Sequence, residues 1–152
     1  MTHTDTYIAF MMDHAAGNHP ESFAVAGDLH ISLSERGAET AHLWSMIGGV
    51  MLERSDPILA DPAQQSSRTG RARWSGLSVD EVLSQSSGDL SWRRGFSGVQ
   101  YASAGTPGTK FMKLEPGQSA PMHGHGGLEA TVVLSGRFTD GYGTYSRGDL
   151  VL

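Results

Sequence analysis

His123, Gly124 and His125, with Glu129 four positions further on, set two imidazoles and a carboxylate close together in the chain. Residues two apart on an extended strand point to the same face, so both rings of a His-x-His pair reach one side. Glu129 returns a carboxylate to that neighbourhood after the short Gly126-Gly127 turn. Neutral imidazole and carboxylate suit a first-row divalent cation, and three protein ligands leave coordination positions open. Zinc is the expected occupant, but the same donors also accept iron, manganese or nickel. The bland alternative is a polar cluster on a surface turn.

Residues from about Leu90 must position that set, and their texture is β. Val99–Ala102, Lys110–Leu114, Ala130–Leu134 and Phe138–Thr139 are short strand candidates separated by Gly, Pro and Ser, as in an antiparallel barrel. Upstream the texture is helical. Tyr7, Ile8, Met11 and Met12 recur at helix spacing before Ala15-Ala16-Gly17, a helix end. Asn18 is read as the next cap, with Pro20 in the first turn and Phe23, Ala26, Leu29, His30 and Leu33 along one stripe. A third helix from about Glu35 carries Leu43, Ile47, Val50 and Met51; its Gly48-Gly49 pair either weakens it or admits a close partner. Ser55-Asp56-Pro57 through Gly70 has linker composition, and Ser78-Val79-Asp80-Glu81 is a capping box opening a short helix through Gln85. The expected organisation is α+β: a helical domain over 1–54, a linker with a short helix over 55–89, and a β-barrel over 90–152.

With 152 residues and a net charge of -5, the chain has no dense basic block, so binding to nucleic acid through phosphates is not expected. No apolar run approaches the roughly 18 residues that span a bilayer, and the N-terminus shows no secretion signal. Cysteine is absent, which excludes disulfides and thiolate metal sites. A soluble cytoplasmic protein is expected.

Gly117, His123-x-His125, Glu129 and Gly136 follow the spacing of the first motif of the cupin superfamily, and the two framing glycines favour a metal site over a surface cluster. In cupins these residues lie inside a small β-barrel and hold a metal, which the resemblance implies for His123, His125 and Glu129. The whole chain resembles the ChrR-type anti-sigma factors, in which a helical front binds an extracytoplasmic-function sigma factor and a C-terminal cupin senses stress. Ala15-Ala16-Gly17, the helix ending His30-Ile31-Ser32-Leu33-Ser34, and Ile47-Gly48-Gly49 match the front of that family. Pro116-Gly117-Gln118, Gly127-Leu128-Glu129, Val133-Leu134-Ser135-Gly136 and Gly148-Asp149 match its β half.

Two departures stand out. The family's front carries His-x3-Cys-x2-Cys and a further histidine near the N-terminus; here His30 is in place, but the cysteine positions are Ser34 and Gly37. His30 and His3 alone do not make a closed zinc site, so the front should fold on apolar packing and His30 reads as an ordinary helix-face histidine. Cupins also add a later histidine, and none follows His125 before Leu152. The barrel is therefore expected to be incomplete, either because the chain is a fragment or because two chains complete each other's sheets as a homodimer.

The remaining candidates have plainer readings. His14, His19 and His42 are expected on solvated helix positions, and Trp44, Trp74 and Trp92 in packing. Met11, Met12, Met46 and Met51 read first as core, with an adaptable groove for a partner helix as the alternative. Arg68, Arg71 and Arg73 read as a solvated face. The function expected from the resemblance is that of a metal-binding regulator partnered by a sigma factor. The alternative is a small metal-dependent cupin enzyme, of dioxygenase or hydrolase type, with a degenerate helical front.

Overall fold

The computed structural model describes residues 3–56, 78–95, 98–119 and 126–152. Helix α1, His3–Ala15, turns Tyr7, Phe10 and Met11 to one face, where Met11 is fully buried. It ends as the sequence predicts. Gly17 adopts φ 69°, and Gly17 N–H and Asn18 N–H donate back to the carbonyls of His14 and Asp13, closing the last turn. Pro20, not Asn18, caps α2, Glu21–Leu33: its carbonyl accepts from Phe23 and Ala24, and no side chain assists.

A single residue links α2 to α3, Glu35–Glu53. Ser34, in extended conformation, ends the first helix, and its Oγ accepts from Gly37 N–H at 3.2 Å to start the second. The third helix runs unbroken through Gly48-Gly49, and a side chain at either glycine would meet nothing. Bare backbone there has no packing reason among the described residues. Gly48→Ala and Gly49→Ala are each expected to stabilise the fold by about 0.5–1 kcal/mol, read as a raised urea midpoint. Helix α4, Val79–Ser86, opens with both hydrogen bonds of the predicted capping box, Glu81 N–H to Ser78 Oγ and Ser78 N–H to Glu81 Oε2.

The β half forms three small antiparallel sheets among the described residues. Strands β1 (Arg93–Arg94), β2 (Gln100–Ser103) and β3 (Lys110–Lys113) pair in that order, with Ala102 opposite Phe111 facing inward. Strand β4 (Thr131–Val132) pairs with β7 (Leu150–Val151), and β5 (Arg137–Thr139) with β6 (Thr144–Ser146). The β5–β6 hairpin is held by Asp140, whose Oδ1 accepts from Tyr142 and Gly143 N–H, and by Phe138 and Tyr145 stacked at 5.0 Å. An α+β architecture is present, but a closed barrel is not formed by these residues. Two- and three-residue strands leave their sheets narrow, and β1, β6 and β7 are too short for any alternation to mark them in the sequence.

Apolar burial crosses from helices to strands. Val25 and Leu29 of α2 join Val82 of α4, Ala102, Ala104 and Phe111 in one cluster. Tyr7, Phe10, Met11 and Ala26 form another, against which Trp44, Ala130, Val132 and Leu150 pack. Residues 57–77 of the predicted linker over 55–89, with Trp74 and the three arginines, lie outside the described residues. No helix among the described residues is long and apolar enough to cross a membrane.

Candidate functional site

Among the described residues, helix α3 is anchored along its first half. Gly37 lies against His30, Thr40 Oγ1 accepts from Tyr7 Oη–H of α1 at 3.2 Å, and Ala41 and Trp44 pack on the α1–α2 cluster. On the other face and beyond, Leu43, Met46, Ile47, Val50, Met51 and Leu52 are all exposed, from 38% at Ile47 to 76% at Leu52. At about 100° per residue, the first five fall within an arc of about 140°. Scattered exposed leucines need no explanation, but a contiguous apolar ridge of this kind marks an interaction surface. Of the methionines expected in the core, only Met11 is buried; Met12, Met46 and Met51 face solvent. Periodicity identified the face and not its covering.

The predicted metal set is placed in part. His123 and His125 lie outside the described residues. Glu129 is exposed at the entry to β4. Of the framing glycines, Gly117 (φ 83°) follows Pro116 in a turn closed by Gln118 N–H to the Glu115 carbonyl, a type II geometry, and Gly136 takes φ 76°. Among the described residues no three His, Asp or Glu side chains are grouped to hold a metal.

The front's zinc positions are occupied by other contacts. A Cβ built on Gly37 would lie 2.5 Å from the His30 carbonyl oxygen and 2.9 Å from His30 Cδ2, so a cysteine has no room there. Ser34 Oγ is engaged in capping α3. His30 itself is 2% exposed, with Nδ1 2.7 Å from the Gly148 carbonyl and Nε2 3.0 Å from Tyr7 Oη. These residues do not fit a zinc ion. They also correct the reading of His30 as an ordinary helix-face residue: it is a core histidine with both nitrogens bonded. His14 and His19 are likewise less solvated than expected. His14 Nε2 pairs with Asp28 Oδ1 at 3.0 Å, and His19 Nε2 donates to the Phe10 carbonyl at 2.8 Å, whereas His42 is exposed.

Burial pushes the His30 pKa below the usual histidine value, and Arg36 adds to the effect; the Gly148 carbonyl and Asp149 oppose it. Tyr7 on α1, Arg36 on α3 and Asp149 in the β6–β7 turn are the titratable groups around the ring. A depressed folded pKa means that the unfolded chain takes up the proton first. Stability is therefore present above about pH 6.5 and falls as acid carries the chain through that value toward the lowered one. The stability gap between the native chain and His30→Gln is expected to narrow between about pH 7.5 and 5.5 in urea titrations.

No family model matches the chain. It is 30% identical over 159 aligned residues to the anti-sigma-E factor ChrR of Cereibacter sphaeroides, covering 93% of this chain and 75% of that protein. Its fold matches a chain in the crystal structure of Rhodobacter sphaeroides SigE in complex with the anti-sigma ChrR, with a TM-score of 0.72 and 27% identity over 95% of this chain and 82% of the other. Identity at that level across three quarters of a characterised protein places the chain in its family: it is a member of the ChrR family of anti-sigma factors.

Proposed function

We propose that this chain sequesters an extracytoplasmic-function sigma factor, and that the ridge Leu43-Met46-Ile47-Val50-Met51 on α3 is the surface that the sigma factor covers. The observation that carries the reading is an apolar face the chain leaves exposed on a fold matching that of a sigma–anti-sigma complex. A helix face of this kind docks against partner helices through i, i+3, i+4 and i+7 anchors, and methionines allow it to repack around them. A stable interface would bury on the order of 1,200–2,000 Å2, more than one ridge supplies, so flanking parts of the front must also take part.

In the same reading the β half is the sensor, a cupin-type module in which His123, His125 and Glu129 hold one divalent ion, with zinc favoured. Two imidazoles and a carboxylate fit such an ion by donor type. His123, His125 and Glu129 would be the residues that hold the ion, which when bound would offer open coordination positions to a signal. On this reading the chain acts in the cytoplasm, where it meets the sigma factor.

Mixing the full chain with the extracytoplasmic-function sigma factors of its own genome tests the first claim. A one-to-one complex with a dissociation constant below about 1 µM is expected; no complex at about 10 µM overturns it. Elemental analysis tests the second: about one zinc per native chain, lost in His123→Ala, is expected, and metal content unaffected by that substitution would refute the assignment.

A further inference from the structure

We infer that His30 is a metal-free joint binding the helical front to the β half, in the place where zinc-binding relatives would hold an ion. Four segments meet around this ring: α2 through His30 itself, α1 through Tyr7, α3 through Thr40 on the Tyr7 hydroxyl, and the β6–β7 turn through Gly148. A carbonyl only accepts, so Nδ1 carries a proton and donates it to Gly148 O, a partner 118 residues away. In the neutral ring Nε2 is then an acceptor, and Tyr7 Oη–H donates to it across 3.0 Å. Thr40 Oγ1, 3.2 Å from the same phenol, is a second acceptor of that one proton and donates its own to the Arg36 carbonyl at 2.7 Å. The Arg36 guanidinium lies over the Tyr7 ring, 4.1 Å from its centroid, and fixes the phenol from the other side.

The β side of the joint is equally constrained. Gly148 has φ 91°, and any Cβ there would strike the Leu33 carbonyl at the end of α2. Its N–H donates to the Val133 carbonyl at 2.8 Å, and Val133 N–H donates to the Asp149 carbonyl at 3.1 Å. These bonds continue the β4–β7 pairing, Thr131 with Val151 and Val132 with Leu150, to within two residues of Glu129. Backbone hydrogen bonds thus run from the Glu129 segment to Gly148, and His30 carries them into all three front helices. Four ligands closing on an ion would be one way to fix three short helices. This chain instead uses a buried imidazole whose two nitrogens are both satisfied, so neither is free for a metal.

His30 is a positioning residue, and its tests read structure rather than sigma binding, so they stand or fall apart from the proposed function. In the full chain carrying His123→Ala and His125→Ala, zinc is expected to stay below about 0.1 equivalents per chain. One equivalent that disappears on adding His30→Gln would overturn the joint. In the native chain, 15N–1H spectra at pH 7 should show His30 as the neutral Nδ1–H tautomer. An Nε2–H tautomer, or a ring exchanging freely with solvent, would contradict it. Tyr7→Phe keeps the ring and the fold but removes the phenolic donor. It is expected to speed amide exchange at Gly148 about fivefold, although residue 7 lies on α1, because each bonded partner of the imidazole stabilises the other. Unchanged exchange at Gly148 would show that the two ends of the ring are not coupled and would sink the inference.

Discussion

Ile47→Glu is expected to weaken binding of the sigma factor by about 100-fold, close to 2.7 kcal/mol, with thermal stability nearly unchanged. The two halves of that expectation have separate causes. Ile47 is more than one third exposed and sits at the middle of the α3 ridge, so the chain loses little of its own packing when it changes. Glutamate is also a good helix former, and the helix should not suffer. In the complex, however, a carboxylate set among Leu43, Val50 and Met51 must leave water without a cation to receive it, and that desolvation is worth several kcal/mol. Ser45→Glu is the matched control. It adds the same charge to an exposed position on the opposite side of the helix and should change affinity less than about threefold. Equal effects of the two substitutions would mean that the sigma factor responds to net charge, or docks elsewhere, and the ridge would lose its assignment.

What the sequence disclosed follows the range of the interactions involved. The end of α1 at Gly17 and the capping box at Ser78 and Glu81 are local chemistry, complete within six residues, and both stand as read. Two-residue strands such as β7 offer no period to detect, and they exist only because β4 and α2 lie beside them. The α3 ridge was legible as a face, and its methionines Met46 and Met51 read first as core with a partner groove as the alternative, since a 3.6-residue period reports which side chains share a side and not whether the covering belongs to the same chain. His30 marks the further limit. Its spacing to Ser34 and Gly37 pointed to a lost zinc motif, but its actual partners are Tyr7 and Gly148, and no local pattern connects residue 30 with residue 148. Of the metal set only Glu129 is among the described residues, so its convergence with His123 and His125 rests on donor type and motif spacing.

Gly148→Ala separates backbone strain from close packing and carries the largest stability effect expected here. Gly117, Gly136 and Gly148 share a positive φ, at 83°, 76° and 91°, so alanine is strained at each by about 1 kcal/mol or slightly more. At Gly117 and Gly136 nothing lies within 4 Å of the added Cβ, and the conformational term is the whole effect. At Gly148 the Cβ meets the carbonyl oxygen of Leu33, main chain at the end of α2, with the amide nitrogen of Ser34 3.2 Å away. A flexible side chain could swing aside, but a helix terminus that also starts α3 through Ser34 cannot. The turn must back away, and the His30–Gly148 hydrogen bond lengthens or breaks, leaving buried polar groups unpaired at about 1–3 kcal/mol. Urea titration should therefore find Gly148→Ala about 3 kcal/mol or more below the native chain, and Gly136→Ala only about 1 kcal/mol below. If the two variants lose stability equally, the turn does not press on α2, and the helical front and the β half are not fastened at this point.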